Sequence, residues 1–271
     1  MLKTYGIVGH PLTRNLTPAI LNAAFSHFNI QPDFKTFEID PNNSENLANF
    51  TYETDLKLIG GFGVADPFKV EIMTYVDHYD PLAKIIGSVN TVVNENSKLI
   101  GYNTESIGAL QALTEKTHVP GKRVLVMGAG AAGRGIAYSL KEFGAEVFIF
   151  NRTLEHAEAL AKEFDLTAIE HRQIEQENFD IIINATPVGA FPERNNALLS
   201  QDQIPSHAVV MDLVLNPLRT QLLKDAEAVG ALTIGGERML LHSAIRQFEL
   251  WFGLDAPVDL MEEAMYEALE L

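Results

Sequence analysis

The feature that most constrains the fold is a glycine-rich segment between two apolar runs in the middle of the chain. Residues 124–127, after Arg123, form an apolar run, and the pattern G-x-G-x-x-G follows at 128–133. Apolar residues then recur at helical spacing up to Leu140, before a second apolar run at 145–150. A strand, a glycine turn, a helix and a second strand in this order predict a βαβ unit that binds a dinucleotide.

Each glycine of this motif has a separate predicted task. Gly128 permits a tight turn, Gly130 lets the main chain approach a pyrophosphate, and Gly133 allows the helix to pack closely on the strand. Free N–H groups at the start of the helix would receive the phosphates. The residues expected to contact the cofactor here are Gly128, Ala129, Gly130, Ala131, Ala132 and Gly133.

The end of the second strand indicates which dinucleotide is bound. Chains that bind NAD place Asp or Glu there for the ribose 2′-hydroxyl, whereas this chain has Asn151-Arg152-Thr153. Because a guanidinium and a hydroxyl suit a 2′-phosphate, NADP is expected. The alternative interpretation is that Arg152 is only a solvated residue at the end of a strand, and NAD therefore stays open as a cofactor.

The composition excludes several classes of protein. A chain of 271 residues with 46% hydrophobic and 21% charged residues is typical of one large or two medium globular domains. A net charge of −16 opposes binding to a nucleic-acid backbone. Since the sequence contains no cysteine, disulfides, thiolate chemistry and cysteine-based zinc sites are excluded.

Neither a targeting segment nor a membrane span is expected. Residues 1–10 are typical of a strand and lack the apolar core of a signal peptide, and no apolar run has the length of a membrane span. We therefore predict a soluble cytoplasmic protein, monomeric or homodimeric, with a small-molecule substrate. Asp77, His78 and Asp80 lie close in sequence, but no metal is expected because no second group of ligands has suitable spacing.

Strand and helix patterns alternate along the chain. Thr17 is the predicted N-cap of the first helix and Ser44 that of the second, while Pro67 begins a further helix. Turn residues at 94–97 separate two strand-like segments and predict a hairpin. The alternation continues to about Gly236, which indicates parallel α/β structure, and two amphipathic helices close the chain.

A series of short motifs also runs in order along essentially the whole chain. In sequence order they are Gly9-His10-Pro11-Leu12, Val64-x-x-Pro67-Phe68-Lys69, Ile86-Gly87-Ser88-Val89-Asn90-Thr91-Val92, Gly101-Tyr102-Asn103-Thr104, the glycine loop, Asn151-Arg152-Thr153, Asn184-Ala185-Thr186, Met239-Leu240 and Phe248-Glu249-Leu250-Trp251. In this order and spacing they resemble the motifs of the shikimate dehydrogenase family.

The resemblance implies an α/β fold of two domains. An N-terminal α/β domain would hold the substrate, a Rossmann domain would hold NADP, and the C-terminal helices would return to the first domain. On this basis residues 1–103 and 238–271 form the expected substrate domain and residues 104–237 the Rossmann domain. The implied reaction is reversible hydride transfer between NADP(H) and the ring carbonyl of 3-dehydroshikimate, in the shikimate pathway of aromatic amino acid biosynthesis.

Lys69 and Glu105 match the family's catalytic pair. Hydride transfer to a carbonyl leaves an alkoxide unless a positioned acid protonates the oxygen, and the resemblance gives this role to Lys69. Partial desolvation suits a lysine to that role near neutral pH. Glu105 stands where the family has the shorter aspartate and would hold Lys69. Without the resemblance, Lys69 would be an exposed lysine at a helix start.

The implied substrate contacts are partly altered in this chain. Asn90 and Asn103 match the family's contacts to ring hydroxyls, although either could instead satisfy nearby main-chain groups. The other implied positions carry residues unusual for the family: Asn15 and Thr17 for a Ser-x-Ser pair, Ala65 for threonine, Leu215 for tyrosine and Ser243 for glutamine. The remaining cofactor positions are Thr186, Val214 and Gly236.

Three functions therefore stay open. The first is an NADP-dependent oxidoreductase acting on shikimate or a close ring hydroxy acid. The second is a divergent member of the family that acts on a different, less polar hydroxy compound, which the lost polar contacts favour. The third is a non-enzymatic NADP-binding sensor, and the retention of Lys69 together with a carboxylate at Glu105 speaks against it.

Overall fold

The strands of the chain are distributed over two sheets, each the centre of its own unit. One unit contains Met1–Thr104 and Ser243–Leu271, and the other contains Glu105–His242. The structure is a computed structural model that describes residues 3–12, 15–42, 45–53 and 58–270. The assignment of substrate to one unit and cofactor to the other stays a prediction at this point.

The first unit is built on a mixed sheet of six strands. They are β1 (Thr4–Gly9), β2 (Asp33–Glu38), β3 (Ile59–Val64), β4 (His78–Tyr79), β5 (Thr91–Glu95) and β6 (Lys98–Tyr102). Their order across the sheet is β2-β1-β3-β5-β6-β4. β1 is parallel to β2 and β3, whereas β5 is antiparallel to β3 and β6. The ends of β1, β3 and β6 and the beginning of β5 therefore share one edge.

Three helices of this unit connect its strands along the chain. α1 (Thr17–His27) lies between β1 and β2, α2 (Glu45–Glu53) between β2 and β3, and α3 (Pro81–Ile86) between β4 and β5. The hairpin predicted around residues 94–97 is confirmed, because Glu95 pairs with Lys98 in the antiparallel ladder of β5 and β6. Asn96 and Ser97 have φ values of 54° and 66°, as a tight hairpin turn requires.

The cap of α1 differs from the prediction. Thr17 is the first residue of α1, and the N-cap residue is Leu16, whose side chain makes no capping hydrogen bond. The Thr17 main-chain N–H instead donates to Oδ1 of Asn15 at 2.9 Å. The prediction that Thr17 caps the helix is wrong because the Asn15 amide already satisfies the first free N–H. Ser44, the predicted cap of α2, lies outside the described residues.

The prediction that a helix begins at Pro67 is also wrong. The structure has a turn there, followed by a short 3₁₀-helix at Glu71–Tyr75. Its hydrogen bonds close tighter rings than those of an α-helix, as between Met73 N–H and Val70 O at 3.2 Å. Several β-branched side chains in this stretch disfavour a regular α-helix. Lys69 therefore lies on a turn.

The second unit is built on a parallel sheet of six strands. They are β7 (Arg123–Met127), β8 (Glu146–Phe150), β9 (Thr167–Ala168), β10 (Ile181–Asn184), β11 (Val209–Asp212) and β12 (Leu232–Gly235). Their order is β12-β11-β10-β7-β8-β9, so the direction of winding reverses between β7 and β10. In such sheets, ligands bind beyond the carboxyl ends of the strands at this reversal.

Helices cover both faces of this sheet. They are α4 (Glu105–Thr114), α5 (Ala131–Glu142), α6 (Leu154–Phe164), α7 (His171–Ile174) and α8 (Gln221–Ala228). Successive residues of β7 alternate between two apolar cores, with Val124 and Val126 in one and Leu125 and Met127 in the other. The predicted βαβ unit is confirmed by β7, α5 and β8.

Two further helices end the chain, α9 (Gly236–Phe252) and α10 (Val258–Glu270). α10 packs against α1 within the first unit. Phe248 and Trp251 of α9 are buried, and the Trp251 indole Nε1–H donates to Val92 O at 3.0 Å. Among the described residues, no helix has both the length and the apolar character that crossing a membrane demands.

A cluster of charged side chains holds the beginning of α9 to the end of α4 in the second unit. Arg238 donates to both carboxylate oxygens of Glu115, from Nε at 3.1 Å and from Nη2 at 2.5 Å. His242 Nε2 lies 2.7 Å from Oε1 of Glu115. Burial by itself would raise the pKa of Glu115, but the hydrogen bonds from Arg238 and His242 outweigh burial and lower that pKa.

We expect Glu115→Gln to lower the free energy of unfolding of the second unit by about 1–3 kcal/mol at neutral pH, because charge-assisted hydrogen bonds are lost. The contribution of Glu115 is complete above the pKa of about 4.3 of a glutamate in an unfolded chain. It is lost as the pH falls through the lower pKa of the folded state. Urea unfolding followed by circular dichroism, at neutral pH and at progressively lower pH, measures the difference between variant and wild type.

The matched control is Arg172→Gln, which breaks the exposed ion pair of Arg172 with Glu170 at 2.9 Å. An exposed pair of this kind contributes roughly 0–1 kcal/mol, so a smaller effect is expected. Equal losses in both variants, or a Glu115→Gln effect that does not shrink in acid, would contradict the proposed strength of the cluster.

Candidate functional site

Most of the substrate-contact residues predicted for the first unit lie along the shared edge of its sheet. Gly63 in β3 pairs with Thr91 in β5, and Thr91 pairs with Tyr102 in β6. The loop after β3, the residue before β5 and the residues after β6 therefore meet. The predicted residues brought to this edge are Ala65, Lys69, Asn90 and Asn103.

Main-chain hydrogen bonds fix this edge. Val64 N–H donates to Asn90 O at 2.8 Å, and Asn90 N–H donates to Tyr102 O at 3.0 Å. Val89 N–H donates to Lys69 O at 2.8 Å. The turn that carries Lys69 is thus held directly against the segment that carries Asn90.

Lys69 is largely shielded from solvent, with 13% of its side chain exposed. Its Nζ lies 3.4 Å from Oδ2 of Asp66, whose side chain is 82% exposed. The sequence analysis missed Asp66, although a carboxylate three residues before a lysine in a turn is a recognisable signal. Asp66 therefore places a negative charge near the ammonium group of Lys69.

Asn90 lies at the centre of a buried polar cluster. Its Nδ2 donates to Oγ1 of Thr104 at 3.0 Å and to Oγ of Ser243 at 3.2 Å. Its Oδ1 accepts from Thr104 N–H at 2.7 Å, and the hydroxyls of Thr104 and Ser243 lie 2.8 Å apart. Both amide hydrogens of Asn90 are therefore engaged within the protein. The structure brings the predicted residues Asn90 and Ser243 together, and contact with a substrate stays a prediction for both.

The other predicted residues of this unit flank the cluster. Asn103 is buried, and its Nδ2 donates to Ser88 O at 3.1 Å. Asn15 lies on the loop that follows β1, and Thr17 is the first residue of α1. His10 N–H, on the same loop, donates to Asp66 O at 3.0 Å and so joins that loop to the turn of Lys69.

Gln247 in α9 is a residue that the sequence analysis missed. It is 5% exposed, and its Nε2 donates to Asn90 O at 3.4 Å. Its Oε1 is buried and accepts no hydrogen bond from any described residue. A Cβ on Gly63 would lie 3.5 Å from Nε2 of Gln247, an ordinary van der Waals distance, so this amide lies over β3. The only signal in the sequence is a polar residue one helical turn after Ser243.

The glycines of the loop at 128–133 differ in whether the fold requires them. The fold requires glycine at two of these positions but not at the third. Gly128 has a φ of 115°, and a Cβ on Gly133 would lie 1.8 Å from Gly128 O. The predicted tight turn and close packing are thus confirmed. A Cβ on Gly130 would meet nothing within 4 Å. The missing side chain at Gly130 therefore leaves space for something other than the protein.

The beginning of α5 is suited to an anion. Gly130 is its N-cap residue and offers no side-chain cap, and Ala131 and Ala132 open the helix. The N–H groups of this first turn have no partners within the helix, and the helix dipole is positive at this end. Together with the space before Gly130, this geometry fits the pyrophosphate of a dinucleotide.

The loop after β8 is tied to the glycine loop. Ala129 N–H donates to Oδ1 of Asn151 at 3.2 Å, and Nδ2 of Asn151 donates to Thr153 O at 2.9 Å. Arg152 and Thr153 are exposed, and no described residue forms an ion pair with Arg152. Arg152 therefore lies on a loop that Asn151 ties to the glycine loop, and its side chain is exposed.

Thr186, Val214 and Gly236 lie just beyond the carboxyl ends of β10, β11 and β12, which are parallel neighbours. A Cβ on Gly128 would come within 2.9 Å of Cγ2 of Thr186, so the glycine loop and the loop after β10 are in contact. The cofactor residues predicted for this edge are therefore brought together.

Glu105 and Leu215 also belong to the second unit. Glu105 is the first residue of α4, and Leu215 lies after β11 with 42% of its surface exposed. Within the described part of the chain, no cluster of His, Asp or Glu is arranged to hold a metal ion. The carboxylate of Asp77 accepts from Lys98 Nζ at 2.7 Å and from Leu99 N–H at 2.9 Å.

Three family models match successive parts of the chain. The shikimate dehydrogenase substrate binding domain matches residues 7–92, shikimate / quinate 5-dehydrogenase matches 111–214, and the shikimate 5′-dehydrogenase C-terminal domain matches 236–266.

Individual relatives match over nearly their whole length. Shikimate dehydrogenase (NADP(+)) of Methanocaldococcus jannaschii is 36% identical over 280 residues, which cover 98% of this chain and 97% of that one. The crystal structure of shikimate 5-dehydrogenase from Thermus thermophilus with NADP(H) and shikimate is 33% identical, with a TM-score of 0.90, covering 99% of this chain and 100% of that one. That of the Listeria monocytogenes enzyme with shikimate and NAD is 30% identical, with a TM-score of 0.84, covering 97% and 96%.

The three family models match consecutive segments of the chain, from residue 7 in the first unit to residue 266 in the last helix. On this sequence and structural similarity, the chain belongs to the shikimate dehydrogenase family.

Proposed function

We propose that the protein is an NADP-dependent oxidoreductase that transfers a hydride reversibly between NADP(H) and the ring carbonyl of 3-dehydroshikimate, yielding shikimate in the reduction. The observation that carries the proposal is the placement of Lys69. It lies shielded at the edge of the sheet in a chain similar, over nearly its full length, to shikimate dehydrogenases. The reaction is a step in the formation of aromatic amino acids.

The cofactor would be held by the second unit and would supply the hydride or accept it. The main chain of residues 128–133 would bind the pyrophosphate at the beginning of α5. Arg152 and Thr153 would bind the 2′-phosphate with Asn151 supporting them, and Thr186, Val214 and Gly236 would line the nicotinamide end. NAD stays an alternative, since the Listeria monocytogenes neighbour is a complex with NAD.

Lys69 would move the proton that accompanies hydride transfer. In the reduction its ammonium protonates the oxygen of the former carbonyl, and in the oxidation its amine accepts the hydroxyl proton. Glu105 is proposed as the carboxylate partner of Lys69. Asp66, with Oδ2 at 3.4 Å from the lysine Nζ, is a second carboxylate beside the ammonium group.

The substrate would bind along the edge formed by Asn15, Thr17, Ala65, Asn90, Asn103 and Ser243. Leu215 stays a proposed substrate contact. A ring hydroxyl is a donor, and the buried Oε1 of Gln247 is an acceptor that no described residue satisfies. We therefore add Gln247 to the proposed substrate contacts. It offers a polar group near the edge of the sheet at which Ala65 has no hydroxyl.

Neither of the other two hypotheses is favoured. Four altered positions suggested a less polar substrate, namely Asn15, Ala65, Leu215 and Ser243. Similarity over nearly the full length to shikimate dehydrogenases nevertheless favours shikimate itself. A sensor without activity would not need Lys69 and a carboxylate at Glu105. A cytoplasmic location and a monomeric or homodimeric state remain part of the proposal.

We expect Lys69→Ala to lower kcat for shikimate oxidation about 10²–10⁴-fold, because the proton acceptor is removed. NADPH affinity should be unchanged, since the residues proposed to bind the cofactor are in the second unit. Steady-state NADP reduction with shikimate and with quinate, together with NADPH binding by fluorescence, measures both quantities.

Lys84→Ala is the control for this variant, because Lys84 is an exposed lysine on α3. Its kinetics should match those of the wild type. Wild-type protein that binds NADPH but turns over neither shikimate nor quinate would overturn the proposed function, and an active Lys69→Ala variant would overturn the role of the lysine.

We expect Arg152→Ala to raise the KM for NADP by about 10- to 100-fold and to leave the KM for NAD nearly unchanged. Hydrogen bonds to a charged group contribute roughly 1.5–3 kcal/mol, and about 1.4 kcal/mol corresponds to a tenfold change. Arg172→Ala, at an exposed arginine of the same unit, is the control. Equal changes with both cofactors would show that Arg152 does not read the 2′-phosphate.

A further inference from the structure

A carboxyl group that the proposed mechanism does not use lies fully buried in the second unit. Asp212, the last residue of β11, has 0% exposure. Its Oδ2 accepts from Thr220 Oγ1 at 2.6 Å, and its Oδ1 accepts from Asn184 Nδ2 at 2.9 Å. Oδ1 also accepts from the main-chain N–H of Val214 at 3.1 Å. The carboxyl group therefore joins three separate segments of the chain.

Asn184 passes this constraint to the loop after β10. Its Oδ1 accepts from Thr186 N–H at 3.1 Å and from Thr186 Oγ1 at 2.6 Å. Its Nδ2 donates to Val188 O at 3.1 Å as well as to Asp212. A side-chain amide can turn either its oxygen or its NH₂ group toward a neighbour. A carboxylate has only acceptors, so it can form a hydrogen bond only with the NH₂ group. Asp212 thus sets the orientation in which Asn184 holds Thr186.

Thr220 anchors the carboxyl group on the other side. It is the N-cap residue of α8, where its Oγ1 accepts from Leu223 N–H at 3.3 Å while donating to Asp212. Since an α-helix is a rigid element, this contact gives Asp212 a fixed support. Asn184 and Val214 are then oriented relative to α8.

The loops oriented in this way have little room to move. A Cβ on Gly128 would lie 2.8 Å from Ala185 O, and a Cβ on Gly236 would lie 2.6 Å from Leu213 O. The loops after β7, β10, β11 and β12 are therefore packed main chain against main chain. A change in the orientation of Asn184 would therefore shift the main chain that packs against the glycine loop.

Stability does not by itself account for a carboxyl group at this position. Burial raises the pKa of Asp212 above its ordinary value, in spite of the hydrogen bonds that it accepts. No Lys or Arg among the described residues forms an ion pair with it. Desolvation of a buried carboxylate without a cationic partner is costly, and the three hydrogen bonds that Asp212 accepts offset this cost only in part.

We propose that Asp212 is a positioning residue for the nicotinamide end of the cofactor site. By orienting the Asn184 amide and the Val214 N–H, it fixes the loops 184–188 and 213–215 in the geometry that Thr186 and Val214 present to the cofactor. This inference rests on the proposed function, which assigns Thr186 and Val214 to that end.

Three variants test the proposal. Asp212→Ala removes the acceptors and leaves the donors of Asn184, Val214 and Thr220 unsatisfied. Asp212→Asn keeps the shape: its amide oxygen can face Asn184 and Val214, and its nitrogen can donate to the Thr220 hydroxyl, which has a second lone pair. Ser139→Ala is the matched control, because Ser139 Oγ is a buried polar atom of the same unit without a hydrogen-bond partner among the described residues.

The first readout is nucleotide binding. We expect Asp212→Ala to weaken NADPH about tenfold or more, as loss of preorganisation does, while adenosine 2′,5′-bisphosphate, which lacks the nicotinamide half, binds within about twofold of the wild type. Asp212→Asn should restore NADPH binding to within about threefold. A residue that merely supports the fold would affect both nucleotides alike.

The second readout is amide hydrogen exchange without any nucleotide. In Asp212→Ala, amides in 184–190 and 213–216 should exchange faster, with the sheet unchanged, and Ser139→Ala should match the wild type.

Unchanged exchange in Asp212→Ala, equal weakening of both nucleotides, or no rescue by Asp212→Asn would each overturn the inference. Wild-type protein that binds neither nucleotide would instead overturn the proposed function, and the exchange data would still decide whether Asp212 orders the two loops.

Discussion

The close approach of α5 to the turn at Gly128 is the contact on which the arrangement of the second unit depends. A Cβ on Gly133 would lie 1.8 Å from Gly128 O, so only glycine lets the helix begin where it does. That placement points the first N–H groups of the helix past the ends of β7 and β10, at the reversal of the sheet. The loops after β8, β10 and β11 then pack around the turn through Asn151, Thr186 and Asp212. A single close packing contact thus determines where an anion can be received.

In the first unit the comparable constraint is the satisfaction of buried polar groups. Asn90, Thr104 and Ser243 are almost fully buried, and they satisfy one another. The short Ser243 side chain stays inside this cluster, which holds α9 to the beginning of β5. Gln247, one turn later on α9, carries the acceptor that the cluster does not use. Where the resemblance led us to expect a glutamine, the chain has Ser243, and the amide of Gln247 lies one turn later on the same helix.

The sequence predicts this architecture wherever the signal is local or repeated. The βαβ unit follows from apolar runs and glycines within one short stretch, and the hairpin follows from four consecutive turn residues. Contacts between distant segments carry no such signal. Asn184, Asp212 and Thr220 meet only because parallel strands align their carboxyl ends, and Gln247 reaches Asn90 only through the packing of α9. The two local errors, at Thr17 and Pro67, arose where a neighbouring amide or a β-branched stretch outweighed a general preference.

The open space at Gly130 has a consequence for how this chain tolerates change. Gly128 and Gly133 are needed by the polypeptide itself, whereas nothing in the protein would collide with a methyl group at Gly130. Folding thus requires glycine at Gly128 and Gly133, whereas the proposed ligand binding requires it at Gly130 in the same motif. A screen that reports only folded, soluble protein would accept alanine at Gly130 and reject it at Gly133. A screen for growth without aromatic amino acids would reject both, so the difference between the two tolerance maps would outline the ligand.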